Sequence, residues 1–215
     1  MLIISESLWL AQTNCYLIAS EKGGTAVAVD APPDPAAIVN MAKRLGLTVV
    51  ALLITHGHID HVGGAGAVHR ATGAAVYVHR DDDFLTLDPN SQMNSLFGLV
   101  PPGDYAPPEQ ITDLRHGQEL HLAGVDFEVR HTPGHTPGHC CFYVVTEGTL
   151  MSGDQLFRGS VGRTDLPGGN WNDLISSMNA QVLTLPDDVR VLPGHGPETT
   201  IGVERRSNPF LTGRF

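Results

Sequence analysis

The run Thr55-His56-Gly57-His58-Ile59-Asp60-His61 sets three imidazoles and a carboxylate within six residues, straight after the apolar stretch Val49–Ile54. Neutral imidazole and carboxylate are ligand types that zinc and iron accept. In a loop, alternate side chains point the same way. One pair of these residues can therefore grip one cation while Asp60 and His61 turn toward another. Scattered histidines in an ordinary polar loop seldom arrive this densely, so a metal cluster is the expectation.

Three further donors stand at the ends of expected strands, each beside glycine. They are His135 in Thr132-Pro133-Gly134-His135-Thr136, Asp154 in Ser152-Gly153-Asp154, and His195 in Pro193-Gly194-His195-Gly196. Glycine lets the backbone turn tightly and bring a side chain close to a cation. Alone, each of these motifs is a common turn. Added to the first cluster, they supply two sites of four to five ligands.

Elements of definite kinds must hold these residues. Apolar runs bounded by turn residues predict strands at Asn14–Ser20, Thr25–Asp30 and Val49–Thr55. Asp34–Leu45, with Pro35 in its first turn and Gly46 past its end, reads as a helix. A short helix over Gly64–Thr72 leads to a strand at Ala74–His79. Residues 81–110 are irregular and proline-rich, as a functional lid would be. The second half returns to strands: a hairpin of Glu119–Leu122 and Val125–Arg130, then Cys140–Val145 and Gly148–Ser152. A helix at Asn172–Leu185 and a strand at Val189–Leu192 follow. This is an α/β pattern of two related halves in one domain over residues 1–215, with helices outside two sheets in an αββα sandwich.

Composition narrows the function classes. The chain has 215 residues, 41% hydrophobic and 17% charged, and can bury about 70% of its unfolded surface without disulfides. Lys and Arg number 13 against 23 Asp and Glu, for a net charge of −10. The only lysines are Lys22 and Lys43, which argues against a nucleic-acid partner. Cys140 and Cys141 are adjacent and leave no framework with Cys15, the pattern of reduced thiols in a cytoplasmic protein. In an apolar strand the adjacent pair would point to opposite faces as inert thiols. No membrane segment is expected, since the aliphatic stretch Val49–Ile54 is far too short to cross a bilayer. Asp81-Asp82-Asp83 reads as a solvated turn or helix start. His131 and His139 read as hydrogen-bonded scaffold rather than ligands, and His69, His79, His116 and His121 as surface or strand residues. Trp171 and Phe157 suit either the cleft wall or the core. The sequence fixes no oligomeric state.

Nearly the whole chain resembles a metallo-β-lactamase-fold hydrolase, and within that superfamily the short single-domain bacterial glyoxalase II (hydroxyacylglutathione hydrolase) group. The resemblance rests on His56-Gly57-His58-Ile59-Asp60-His61-Val62-Gly63-Gly64, on His131-Thr132-Pro133-Gly134-His135-Thr136-Pro137-Gly138-His139, and on Gly162-Arg163-Thr164-Asp165. Pro193-Gly194-His195-Gly196-Pro197 and Asn208-Pro209-Phe210-Leu211 complete it. It implies that His56, His58 and His135 hold a first metal and Asp60, His61 and His195 a second, with Asp154 bridging. Antibiotic-hydrolysing class B lactamases lack a bridging aspartate there, which argues against that activity. The resemblance also implies a basic residue in the loop after the bridging aspartate. Arg163 takes that position, Arg158 is nearby, and Asp165 replaces a tyrosine. The C-terminal helical domain that holds glutathione in longer relatives is expected to have no counterpart.

Two Zn2+ ions are the expected cofactor, with Fe or Mn as alternatives. Two such ions roughly 3.5 Å apart would share an acidified water, giving a metal-bound hydroxide between the carboxylates Asp60 and Asp154. The expected reaction is hydrolysis of a small anionic thioester such as S-lactoylglutathione. A thiolate whose conjugate acid has a pKa of about 8.5 departs without a strong general acid, and none stands out. The alternative is an Fe(II) persulfide dioxygenase of the same fold, using His56, His135 and Asp154. A non-catalytic metal scaffold or a ribonuclease-like factor ranks behind both.

Overall fold

The structure is a computed structural model that describes residues 1–89, 91–93, 100, 101 and 103–213. Its strands are β1 (Leu2–Leu8), β2 (Thr13–Ala19), β3 (Thr25–Val29), β4 (Thr48–Leu53), β5 (Ala75–Val78), β6 (Thr112–Asp113) and β7 (Glu119–Leu122). They continue as β8 (Val125–His131), β9 (Cys140–Val144), β10 (Thr149–Gly153), β11 (Leu156–Phe157), β12 (Ser160–Val161), β13 (Arg190–Pro193) and β14 (Thr199–Thr200). The first six form one sheet in chain order, and a second sheet runs β14-β13-β10-β9-β8-β7. β11 and β12 pair as a separate hairpin.

Both faces of the central strands are covered, and their sequences show it. β2 (TNCYLIA), β9 (CCFYV) and β10 (TLMSG) are buried at every position, as strands sandwiched between layers must be. Between the sheets lies a core that includes Ile18, Val27, Leu53, Phe127, Phe142 and Met151. Burying each of these large side chains contributes about 1.5–3 kcal/mol. On the outer face of the first sheet, α1 (Pro35–Arg44) and α3 (Ala65–Thr72) bring Ile38, Met41, Ala65 and Val68 against Leu17, Ala28 and Leu52. Asp34 caps α1 by accepting the Ala37 N–H, and Pro35 opens its first turn. On the second sheet's outer face, Leu174, Met178 and Val182 cover Cys141 and Leu150. The layering is αββα. Cys140 belongs to the inter-sheet core and Cys141 to the outer layer, the alternation that a strand's pleat imposes.

The two halves repeat one path. β1, β2 and β3 pair antiparallel, and β3 then pairs parallel with β4 across α1. Likewise β8, β9 and β10 pair antiparallel, and β10 pairs parallel with β13 across the helix Trp171–Ser177. Both parallel pairs carry a register shift, at Ala26/Val27 and at Met151/Gly153. The donor-bearing loops follow β4, β8, β10 and β13, so they leave from the C-terminal ends of like-directed strands, where α/β sheets generally hold ligands.

Several expectations change in detail. β1 and the helix Ile201–Ser207 were not anticipated from the apolar runs. The helix expected over Asn172–Leu185 is α-helical only through Ser177 and continues as a π-type turn over Met178–Val182. The lid expected over residues 81–110 falls partly outside the described residues. Its start is ordered, with a 3-10 turn over Arg80–Asp82 and a short helix, Asp83–Thr86. Among the described residues no helix is long and apolar enough to cross a membrane.

Candidate metal centre

The loop after β4 carries four of the expected donors, and the loops after β8, β10 and β13 bring the other three to it. His56 Nε2, His58 Nδ1 and His135 Nε2 form a triangle with sides of 3.0, 2.9 and 3.2 Å. Beside it, His61 Nε2 lies 3.3 Å from His195 Nε2 and 3.3 Å from Asp60 Oδ2, and His195 Nε2 lies 3.2 Å from that same oxygen. Asp154 stands between the groups, with Oδ2 3.5 Å from His135 Nε2 and 3.6 Å from His195 Nε2, and Oδ1 3.4 Å from His61 Nε2. Donors about 2.0–2.1 Å from a shared tetrahedral ion stand about 3.3 Å apart. All seven sequence-nominated donors therefore meet, as two triads joined by one carboxylate.

Their outer atoms show which way the lone pairs face. His135 Nδ1 lies 2.7 Å from the Arg163 carbonyl and His61 Nδ1 2.8 Å from Asp30 Oδ2. Acceptors there require the ring protons on Nδ1 and leave Nε2 bare in the neutral rings. Thr55 Oγ1 donates to Asp30, and so accepts from His56 Nδ1 at 3.0 Å. Nitrogen lone pairs thus converge on a buried point with too few protons to join them. Asp154 Oδ1 is buried there without a hydrogen-bond partner. The donor set fits a dinuclear metal site.

Electrostatics separate the two triads. Burial lowers His56 well below its ordinary value, with the neighbouring histidines adding to the shift. It likewise takes His58 to about 3 and His135 to about 4. That triad is neutral and ready to ligate. Burial opposes charge on His61 too, but Asp60, Asp154 and Asp30 outweigh it and raise its pKa well above the ordinary value. His195 is also raised, the hydrogen bond it donates to Asp60 and the charge of Asp154 overcoming burial. His61 and His195 would have to give up these protons to hold a cation in the second triad.

The residues that orient these donors include several that the sequence did not single out. Asp30, at the end of β3 with φ of 60°, accepts from the Thr55 N–H at 2.8 Å as well as holding His61. It occupies the place in the first half that Asp154 occupies after β10 in the second. A polar residue at the end of an apolar strand is its only sequence signal. Thr13 donates to Asp60 at 2.9 Å, and Asn14 reaches the Pro193 and Gly196 carbonyls around His195. Asp30→Asn is expected to weaken metal binding 10- to 100-fold at the His61 side, about what loss of a ligand-orienting carboxylate does. Zinc titration against a chromogenic chelator reads this as one weakened equivalent.

The aspartate triplet does start a helix, but Asp82 is not solvated. Asp81 and Asp83 are exposed, but Asp82 is fully buried. It accepts from Gly57 N, Thr136 Oγ1 and Gly138 N, each at 2.7 Å, and so binds the His56–His61 loop to the His131–His139 loop. His139 serves as scaffold: its Nε2 accepts the Asp154 N–H at 3.1 Å and its Nδ1 meets Thr132 Oγ1 at 2.8 Å. His131 bonds the Pro137 carbonyl and stacks on His79 with ring centroids 4.1 Å apart. Phe157 lies against His195, whereas Trp171 packs on Phe210. Arg163 is exposed and held by Asp165 through two 2.7 Å bonds. It is the Arg163 backbone carbonyl that touches a metal-facing histidine. Arg158 is exposed at the turn of the β11–β12 hairpin.

A family model described as the metallo-beta-lactamase superfamily matches residues 8–195. The chain belongs to the metallo-β-lactamase superfamily. Members of this superfamily are metal-dependent hydrolases. Hydroxyacylglutathione hydrolase GloC of Haemophilus influenzae is 36% identical over 94% of this chain and 94% of its own. A solved structure named as the BLEG-1 B3 metallo-β-lactamase superposes with a TM-score of 0.89 at 38% identity, covering 99% of this chain and all of its own. TTHA1623, solved in a di-iron-bound form, gives a TM-score of 0.86 at 38% identity, covering 98% of this chain and all of its own.

Proposed function

We propose that this chain is a thioesterase of the glyoxalase II type, hydrolysing small anionic thioesters such as S-lactoylglutathione. The observation that carries the reading is the completed second triad, Asp60, His61 and His195, joined to the first through Asp154. A single-iron dioxygenase built on His56, His135 and Asp154 would use three of the seven donors, whereas the thioesterase reading uses them all. Likeness to GloC over nearly the whole of both chains supports the same chemistry.

In this reading His56, His58 and His135 would hold one ion and Asp60, His61 and His195 the other, with Asp154 shared between them. Zinc suits the imidazole-rich donor set, and iron or manganese are the alternatives. When bound, the ions supply a water acidified toward neutrality and an electrophile for the carbonyl. The protein's own residues do the rest. Thr13 fixes the Asp60 carboxylate, His139 fixes the Asp154 backbone, and Asp30 fixes the His61 ring. The thiol leaves as thiolate, so the reaction needs no strong general acid. Arg158 and Arg163 are the cations offered to the substrate's negative charge, in a cytoplasmic setting without nucleic-acid partners. Arg158→Ala is expected to raise KM several-fold with little change in kcat. Arg163→Ala should do less, because Asp165 already holds that guanidinium in an exposed pair of small worth.

Steady-state assays of zinc-loaded protein on a thioester panel test the proposal. Turnover is the expected result. Failure on every thioester with both sites filled overturns it. Oxygen uptake on glutathione persulfide by iron-loaded protein would then assign a dioxygenase, and opening of a chromogenic β-lactam would assign a lactamase.

A further inference from the structure

A cavity of about 130 Å3 opens beside the first triad, lined by His58, Phe84, Leu85, Ser91, Gln92, Leu166 and Pro167. Its walls are the segments that fix the metal-facing side chains. The helix Asp83–Thr86 follows directly on Asp82, and Leu166 and Pro167 follow the loop whose Arg163 carbonyl holds His135. Phe84 leans toward Gly168, closing one side. The polar members of the lining are turned away from the space. The Gln92 amide donates to the Gly57 and Leu85 carbonyls at 2.9 Å and accepts from Ile59 N at 3.0 Å, and the Ser91 hydroxyl donates to the Asp88 carbonyl. His58 turns Nδ1 to the triad. Its Nε2, on the other side of the ring, is buried without a hydrogen-bond partner. What faces the cavity is mostly hydrocarbon.

A thioester that reacts at the metal centre has its carbonyl carbon there, with two arms. The thiol arm of an anionic thioester is large, polar and charged, and neither its volume nor its chemistry suits this space. The acyl arm starts at the carbonyl and can enter a cavity walled by a metal-facing histidine. A lactoyl group, short and hydroxylated, would leave most of it empty. We propose that the cavity beside His58 receives the acyl chain, and that the preferred substrates carry an apolar acyl group. A cavity of similar size accepts benzene, which sets the limit at about four to six carbons. This inference rests on the thioesterase reading.

The test is calorimetric binding of straight-chain carboxylates, acetate through octanoate, to zinc-loaded protein, since these are the products the reaction would release. Affinity is expected to tighten about fourfold per methylene to about hexanoate and then level off. Leu166→Trp should abolish the tightening, and Phe84→Ala should move the plateau to longer chains. In hydrolysis assays, Leu166→Trp should lower the ratio of hexanoyl to acetyl thioester turnover. A flat series in the unmodified protein, or a tightening that both variants leave untouched, overturns the inference. The two failures are distinct. If thioesters turn over without chain-length preference and the carboxylate series is flat, the cavity assignment falls and the thioesterase stands. If the series tightens but no thioester is hydrolysed, the cavity stands and the reaction is wrong.

Discussion

Asp82→Ala is expected to lower the melting temperature by about 10 °C and to cost the first triad its metal. Three donors meet this carboxylate at 2.7 Å inside the protein. Its removal leaves two backbone N–H groups and a threonine hydroxyl without an acceptor where water does not reach. Orphaned buried donors cost about 1–3 kcal/mol each, and partial relaxation brings the sum to about 3–5 kcal/mol. For a chain of this size each kcal/mol moves the midpoint by about 2–4 °C. The effect on metal follows from what the donors belong to. Gly57 lies between His56 and His58, and Thr136 and Gly138 follow His135, so one carboxylate sets the spacing of two loops that must meet within about 3 Å. Asp82→Asn is the sharper variant. Its amide oxygen can still accept, but its NH2 faces a donor. Scanning calorimetry with metal analysis of the same samples checks both effects. Wild-type zinc content in the alanine variant would show that the loops do not depend on this residue.

Gly194→Ala should lower turnover by about two to three orders of magnitude, while leaving most of the fold intact. A Cβ at Gly194 would collide with Asp154 Oδ1 and come within 2.7 Å of His61 Cε1, so the methyl would push His61 out of the second triad and Asp154 from its place between the two. The glycine stands between Pro193 and His195, which Asn14 and Tyr16 pin through the Pro193 carbonyl. The loop therefore has little room to give way. Removing a transition-state-stabilising group of this kind costs about 3–4 kcal/mol or more. Gly196→Ala is the control. Gly196 has a φ of 73°, but nothing lies within 4 Å of a Cβ there, so the change costs about 1 kcal/mol of backbone strain and should spare turnover. Equal loss in the two variants would mean that the loop's backbone conformation, not the space beside Asp154, is what matters.

The donors were legible in the sequence because their density is improbable outside a metal site and because each follows a recognisable apolar strand. His56 to His61 announce themselves as a block, and His135, Asp154 and His195 recur in the same strand-end setting. The layering was legible for a related reason, since uninterrupted apolar strands such as β9 require cover on both faces. Asp30 and Asp82 were not legible. Each is a single carboxylate whose importance comes from donors far along the chain, Thr55 and His61 for one and Gly57, Thr136 and Gly138 for the other. Nothing local distinguishes Asp82 from its exposed neighbours Asp81 and Asp83. β1 was missed because its half-exposed pattern lacks both a clean alternation and a continuous apolar run. The cavity beside His58 belongs to the same class, being assembled from segments around residues 58, 84, 92 and 166 that only the fold brings together.

The most direct test of the central claim is a stepwise zinc titration of metal-free protein, with thioester hydrolysis recorded at each addition. Two triads sharing Asp154 predict two bound equivalents and a rate that stays low through the first and climbs through the second. A single equivalent that brings full activity, or two that bring none on any thioester, would contradict it.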